Sequence, residues 1–263
     1  PGKCGNLMLH SIEFGSGRPI LILHGGGLDH RHMVDALEPV FASQSGWRRV
    51  YVDLPGHGES SGTGIACQND VLERVTEFGA AFGEAFAAMG ESRGSLIAHG
   101  LAMTRPEDVM GACLIVPGGD NADSQKPHHV TLIPDRETAD NLPPDVRARF
   151  NKLVVQTEGI ARRIAETKVP AASKADPETA RRIAENFALN VKEIVHAGPA
   201  LIVSGRQDAI AGWKDAAALQ SNYTRASFAV LDTAGHSLAW ERPLLFQALL
   251  QDWLSRLANH WNR

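Results

Sequence analysis

The chain has 263 residues, 43% of them apolar, enough for one large buried core with room for an insertion. Its formal net charge of -4 offers no long-range attraction to phosphate backbones or anionic lipid surfaces, which argues against nucleic-acid binding and membrane attachment. Cys4, Cys67 and Cys113 leave at least one thiol without an internal partner and match no zinc or redox spacing. With no leader-like or membrane-spanning apolar stretch, this predicts a soluble, cytoplasmic protein.

In chain order, an apolar run at 19–23 ends in His24-Gly25-Gly26-Gly27, and a second at 49–53 ends in Leu54-Pro55-Gly56-His57-Gly58. Both read as buried strands closed by turns. Between them Met33, Leu37 and Phe41 recur every four residues, the signature of one helical face. A short strand at 85–89 and a helix at 95–104 follow, although Glu84-Ala85-Phe86-Ala87-Ala88-Met89 carries helix-forming residues. Further strands are predicted at 110–116, 200–204 and 227–231. A last helix begins near Pro243 and presents Leu245, Leu249, Trp253 and Leu257 on one face.

The alternation breaks between 118 and 198, where two helical patterns succeed each other without a strand. Val146, Phe150, Leu153 and Ile160 mark the first; Ile183, Phe187, Val191 and Ile194 mark the second, with a start signal at Asp176-Pro177-Glu178. The reading is an α/β core domain, 1–117 and 199–263, carrying a helical cap insertion at 118–198.

Gly-x-Ser-x-Gly occurs twice, around Ser92 and around Ser60. The motif functions where a strand turns sharply into a helix and leaves the serine hydroxyl exposed in a strained conformation. Ser92 has a strand before it and a helix after it; Ser60 lies in a loop beyond its strand. A serine needs a base, and His236 follows the final strand in Asp232-Thr233-Ala234-Gly235-His236. The base needs an orienting carboxylate, for which Asp208, past the strand at 200–204, is the candidate, with Asp120 as its rival. The amides of Arg93 and Gly26 are the candidate oxyanion donors, and His24 supports the glycine loop.

These residues resemble the α/β-hydrolase superfamily in motif and order: the glycine loop at 24–27, the turn at 53–60, the elbow at 90–94, the segment around Asp208, and Gly235-His236. The resemblance implies an eight-stranded, mostly parallel sheet and a cap over the site. Ser95 departs from it, standing where many relatives carry a second glycine. The eleven histidines include His30-Arg31-His32 and His128-His129, which lack the spacing of a metal site. No nucleotide-binding glycine signature opens a helix, so no cofactor is expected.

The expected activity is hydrolysis of a small-molecule ester, amide-like or activated carbon–carbon substrate through an acyl-enzyme. A hydroxynitrile lyase, a cofactor-free perhydrolase or a ligand-binding receptor on the same scaffold are the alternatives. In the cap, Leu132, Phe150, Val154 and Ile164 are candidates for an apolar roof, and arginines 147, 149, 162 and 163 for contacts with an anionic substrate.

Overall fold

A computed structural model describes residues 9–118 and 126–262. Seven strands form one sheet: β1 (Ser11–Phe14), β2 (Arg18–Leu23), β3 (Trp47–Val52), β4 (Phe86–Glu91), β5 (Val109–Ile115), β6 (His196–Gly205) and β7 (Tyr223–Leu231). Their order is β1-β3-β2-β4-β5-β6-β7, with β1 antiparallel to β3 and the other pairs parallel. The eight strands implied by the resemblance are thus seven among the described residues. Immediately before β1 the backbone is engaged elsewhere, since the His10 carbonyl accepts from Asp53 N–H and the His10 N–H donates to Ser60 Oγ. The antiparallel edge strand β1 was not anticipated.

The central parallel strands β2, β4, β5 and β6 are buried on both faces, so their side chains alternate between two cores. In β2, Ile20 and Ile22 enter one cluster while Leu21 and Leu23 enter the other. β4 does the same with Ala87 and Met89 against Phe86 and Ala88. That two-sided burial overrides the helical propensity of its alanines. Strand boundaries otherwise fall within a few residues of expectation, β6 and β7 each starting four residues earlier than expected.

Helices α1 (His30–Phe41), α2 (Gln68–Ala80) and α3 (Arg93–Thr104) connect the first parallel strands. From Gly94 to Met103, α3 is buried at every position, as the central helix of such a sheet must be. Between β5 and β6 lie α4 (Arg136–Asn141), α5 (Pro144–Phe150), α6 (Glu158–Arg163), a π-helical turn (Ile164–Lys168), α7 (Val169–Ala172) and α8 (Pro177–Glu185). Here the expected long helices are shorter: the first pattern divides into α5 and α6, and the second ends at Glu185. Phe187, Leu189, Val191 and Ile194 continue as irregular chain packed on the second core. Val146, Phe150, Leu153, Ile160 and Ile164 join the first core together with Met33, Leu37 and Trp240.

After β6 come α9 (Lys214–Ala218), then β7, α10 (Leu238–Glu241) and α11 (Pro243–Trp261). The buried face of α11 is Phe246, Leu250, Trp253, Leu254 and Leu257, rotated from the expected stripe, and Leu245 is exposed. Among the described residues no helix is long and apolar enough to cross a membrane.

Candidate active site

Strand order reverses between β2 and β4, and a crevice at such a point, at the carboxyl ends of the strands, is where open α/β sheets bind ligands. Ser92 occupies the turn between β4 and α3 with φ 54° and ψ -117°, a strained conformation for a residue with a side chain. Its N–H donates to the Ile115 carbonyl at 2.9 Å. The flanking glycines are sterically required. A β-carbon on Gly90 would stand 2.1 Å from the Gly94 carbonyl, and one on Gly94 would stand 2.3 Å from the Leu23 carbonyl oxygen. Ser95 stabilises the same turn, its Oγ lying 2.7 Å and 2.8 Å from the carbonyls of Gly90 and Ile115. The residue that departs from the superfamily pattern therefore fastens the elbow to the sheet.

Asp208 follows β6 and His236 follows β7. His236 Nδ1 lies 2.8 Å from Asp208 Oδ2, and Asp208 is fully buried. The other carboxylate oxygen accepts the N–H groups of Ile210 and Ala211, each at 2.9 Å, which fixes its orientation. Asp120, the rival, lies outside the described residues. Ser92, Arg93, His236, Gly25 and Gly26 all border one cavity of about 290 Å³. Ser60 does not border it: buried in the turn after β3, its Oγ accepts from His10 N–H.

The glycine loop is braced by two histidines. His24 Nδ1 donates to the Gly25 carbonyl at 2.8 Å, and its Nε2 accepts from Leu54 N–H at 2.9 Å. His57 Nδ1 donates to the Pro55 carbonyl while its Nε2 accepts from Gly27 N–H at 3.1 Å. Each ring uses one nitrogen as donor and one as acceptor, which requires the neutral form. Burial and the neighbouring His57 push His24 down to about 3, and burial also lowers His57. The bracing by His57 was not foreseen, though its place in the turn after β3 was.

Charged groups that the sequence did not single out gather around the cavity. Glu91, the residue before Ser92, is buried and accepts from His32 Nε2 at 2.8 Å. Burial acts to raise the Glu91 carboxyl, but His32, with Lys168 and His236 beyond it, holds it below the usual carboxylate range. Burial in turn lowers His32, opposed by the Glu91 carboxylate. Lys168, on the π-helical turn, donates to Ser237 Oγ at 3.0 Å and lies 4.6 Å from the centre of the Trp240 ring. Desolvation draws its amine down, opposed by Glu91 and Glu241.

Glu241 ties two segments together. Its Oε2 accepts from Gly235 N–H at 2.6 Å, next to His236, and its Oε1 accepts from Val154 N–H at 2.7 Å. Of the residues expected in a roof, Ile164 borders the cavity; Phe150 and Val154 are buried in packing and Leu132 is exposed. Of the four arginines, Arg149 borders the cavity, whereas Arg147 donates to the carbonyls of Asp140 and Leu142, Arg163 pairs with Asp35 and Arg162 is exposed.

Among the described residues one group of three has the atoms to hold a metal ion: His10, His30 and Asp53. Both imidazoles direct Nδ1 at an Asp53 oxygen, at 2.9 Å and 2.8 Å, and the same carboxylate accepts from the N–H groups of His30 and Glu59. The group thus serves as a hydrogen-bonded tie between β3, the start of α1 and the turn. His32, two residues on, turns instead to Glu91.

Comparison with known proteins bears on the fold and the family. Over 273 aligned residues the chain is 26% identical to a 2-hydroxy-6-oxononadienedioate/2-hydroxy-6-oxononatrienedioate hydrolase of Paraburkholderia phymatum, covering 95% of this chain and 92% of that one. It is 28% identical over 151 residues to a pimeloyl-[acyl-carrier protein] methyl ester esterase of Shewanella woodyi, a match spanning 57% of this chain and about half (52%) of that relative. Among solved structures, an alpha/beta superfamily hydrolase from Oenococcus oeni superposes with a TM-score of 0.88 at 23% identity, covering 96% of this chain and 97% of that chain. A strained serine elbow at the switch point of a mostly parallel sheet, and a match of residues 20–248 to the model of the alpha/beta hydrolase family, lead to one assignment: the chain belongs to that family.

Proposed function

We propose that the chain is a serine hydrolase that cleaves a small ester, amide-like or activated carbon–carbon substrate through an acyl-enzyme on Ser92, beneath a cap formed by the helices between β5 and β6. The observation that carries this reading is the His236 Nδ1 to Asp208 Oδ2 hydrogen bond of 2.8 Å, made at the cavity that Ser92 borders. Nδ1 donates to the fixed carboxylate, leaving Nε2 as the basic nitrogen.

In this reading Ser92 Oγ bonds to the substrate carbonyl carbon while its proton passes to His236 Nε2. The carbonyl oxygen becomes an oxyanion, which the N–H groups of Gly26 and Arg93 receive. Collapse of this intermediate expels the leaving group, which takes the proton from Nε2. Water then adds to the acyl carbon, giving its proton to the same nitrogen, and breakdown returns the proton to Ser92 and frees the acid. Asp208 orients the imidazole and stabilises its protonated form. The relatives named for an ester and for an oxo-dienedioate support a carbonyl substrate of either bond type.

A fluorophosphonate probe tests the reading. It should label Ser92 stoichiometrically, and Ser92→Ala should lower kcat on a panel of short-chain esters by about 10³-fold or more while leaving the fold intact. Labelling at another residue, or turnover surviving Ser92→Ala, would refute it.

A further inference from the structure

Arg93 contributes more than a backbone amide to the cavity. Its guanidinium lies across the glycine loop, such that a β-carbon on Gly26 would stand 3.1 Å from both Cζ and Nη2. Nε and Nη1 are enclosed and have no hydrogen-bond partner among the described residues. The Phe187 ring centre is 5.9 Å away, a neighbour that covers the group without accepting a hydrogen bond from it. Desolvation lowers the Arg93 pKa, and among the described residues no acidic group opposes it. Shutting two guanidinium nitrogens off from water without a partner is costly, and arginines in such surroundings ordinarily have a carboxylate in reach.

Further basic side chains stand in the same wall. Arg149, Lys152 and Lys168 also border the cavity, whereas its carboxylate, Glu91, is engaged by His32. These four basic side chains converge in a chain whose formal net charge is -4. Among the described residues no group accepts a hydrogen bond from Nε or Nη1, so rotation about the side-chain torsions can present the N–H fork to a ligand, and that fork matches the two oxygens of a carboxylate.

We infer that the cavity selects substrates that carry a carboxylate besides the scissile carbonyl, and that the Arg93 guanidinium receives it. Calling the bound molecule a substrate rests on the hydrolase reading; the anion site itself does not. Arg93 therefore has two separable parts, an amide directed at the reacting oxygen and a side chain that selects what enters.

Binding to Ser92→Ala protein, measured calorimetrically, tests the anion site without turnover. The ligands are the monomethyl esters of four- to six-carbon diacids, each paired with its uncharged dimethyl ester, with phenyl phosphate alongside. At least one monoester should bind about tenfold or more tightly than its diester. Adding Arg93→Gln should abolish that preference, and Arg93→Lys should restore part of it, with the melting temperature of each variant checking its fold. The inference is overturned if no monoester binds more tightly than its diester, if the preference survives Arg93→Gln, or if phenyl phosphate binds more tightly than every monoester. Wild-type protein that hydrolysed none of these esters, yet showed the charge preference in the Ser92→Ala background, would count against the hydrolase reading and leave the anion site standing.

Discussion

Moderate acid will destabilise this protein before its carboxylates titrate, because its buried histidines cannot take up protons that the unfolded chain binds readily. His24 is fully buried with both ring nitrogens engaged, and its pKa falls from 6.5 to about 3; His99, buried beside the Tyr223 hydroxyl, falls to about 4. In each case desolvation is the principal cause. Since the folded values lie below the unfolded one, the full stability is present above pH 6.5 and is lost as the pH falls toward 4 and 3. Each histidine forfeits about 1.4 kcal/mol per pH unit inside that window, hence about 2 kcal/mol between neutrality and pH 5, and about 4 kcal/mol for the two. His32, His57 and His196, all lowered by burial, act in the same direction. Against a total stability on the order of 5–15 kcal/mol this is a large share. Urea unfolding followed by circular dichroism from pH 7.5 to 5 measures it, and His24→Asn should remove about 2 kcal/mol of the pH-dependent part. A stability that stayed level or rose between pH 6.5 and 5 would refute the reasoning.

Two further substitutions probe how the site is held. Glu241→Ala strips the acceptor from the N–H groups of Gly235 and Val154, which should cost about 3 kcal/mol and loosen the His236 loop, seen as a lowered melting temperature and a reduced kcat; unchanged values in both assays would remove Glu241 from this role. Gly94→Ala drives a methyl group into the Leu23 carbonyl and should cost about 3 kcal/mol or more, so an alanine variant that folds with wild-type stability would show that the elbow can relax around it.

The parallel core was legible because strands buried on both faces leave short apolar runs bounded by glycine turns, and the runs at 19–23 and 110–116 are nearly the strands observed. β1 was not, since only four residues pair and none of them is buried. The extended helix after Asp176 failed for a definite reason: a spacing of four is also twice a spacing of two. Phe187 and Val191, which suggested a helical face, alternate with Leu189 between them along irregular chain, and all three side chains reach the second core.

For the site, order along the chain pointed to Ser92, Asp208 and His236, because each follows a different parallel strand and all such ends lie at one edge of the sheet. Of the charges around them, Arg149 was among four arginines expected to meet an anionic substrate, while Glu91 and Lys168 carried no signal. Glu91, Lys168 and Arg149 come from a strand end, a π-helical turn and a short helix, and only the folded chain brings them to one cavity. Arg93 was read for its amide alone, since a motif position says nothing about where the side chain goes.

The approach of Gly94 to the carbonyls of Leu23 and His24 has a consequence for how such a protein diverges. The spacing between the serine turn and the glycine loop is a contact of backbone against backbone, with no side chain interposed. Mutation can therefore exchange the surrounding side chains, one after another, without altering that gauge. A fold shared at 23% identity is the outcome to expect where the dimension that matters is written in peptide units and requires little of the sequence beyond two glycines.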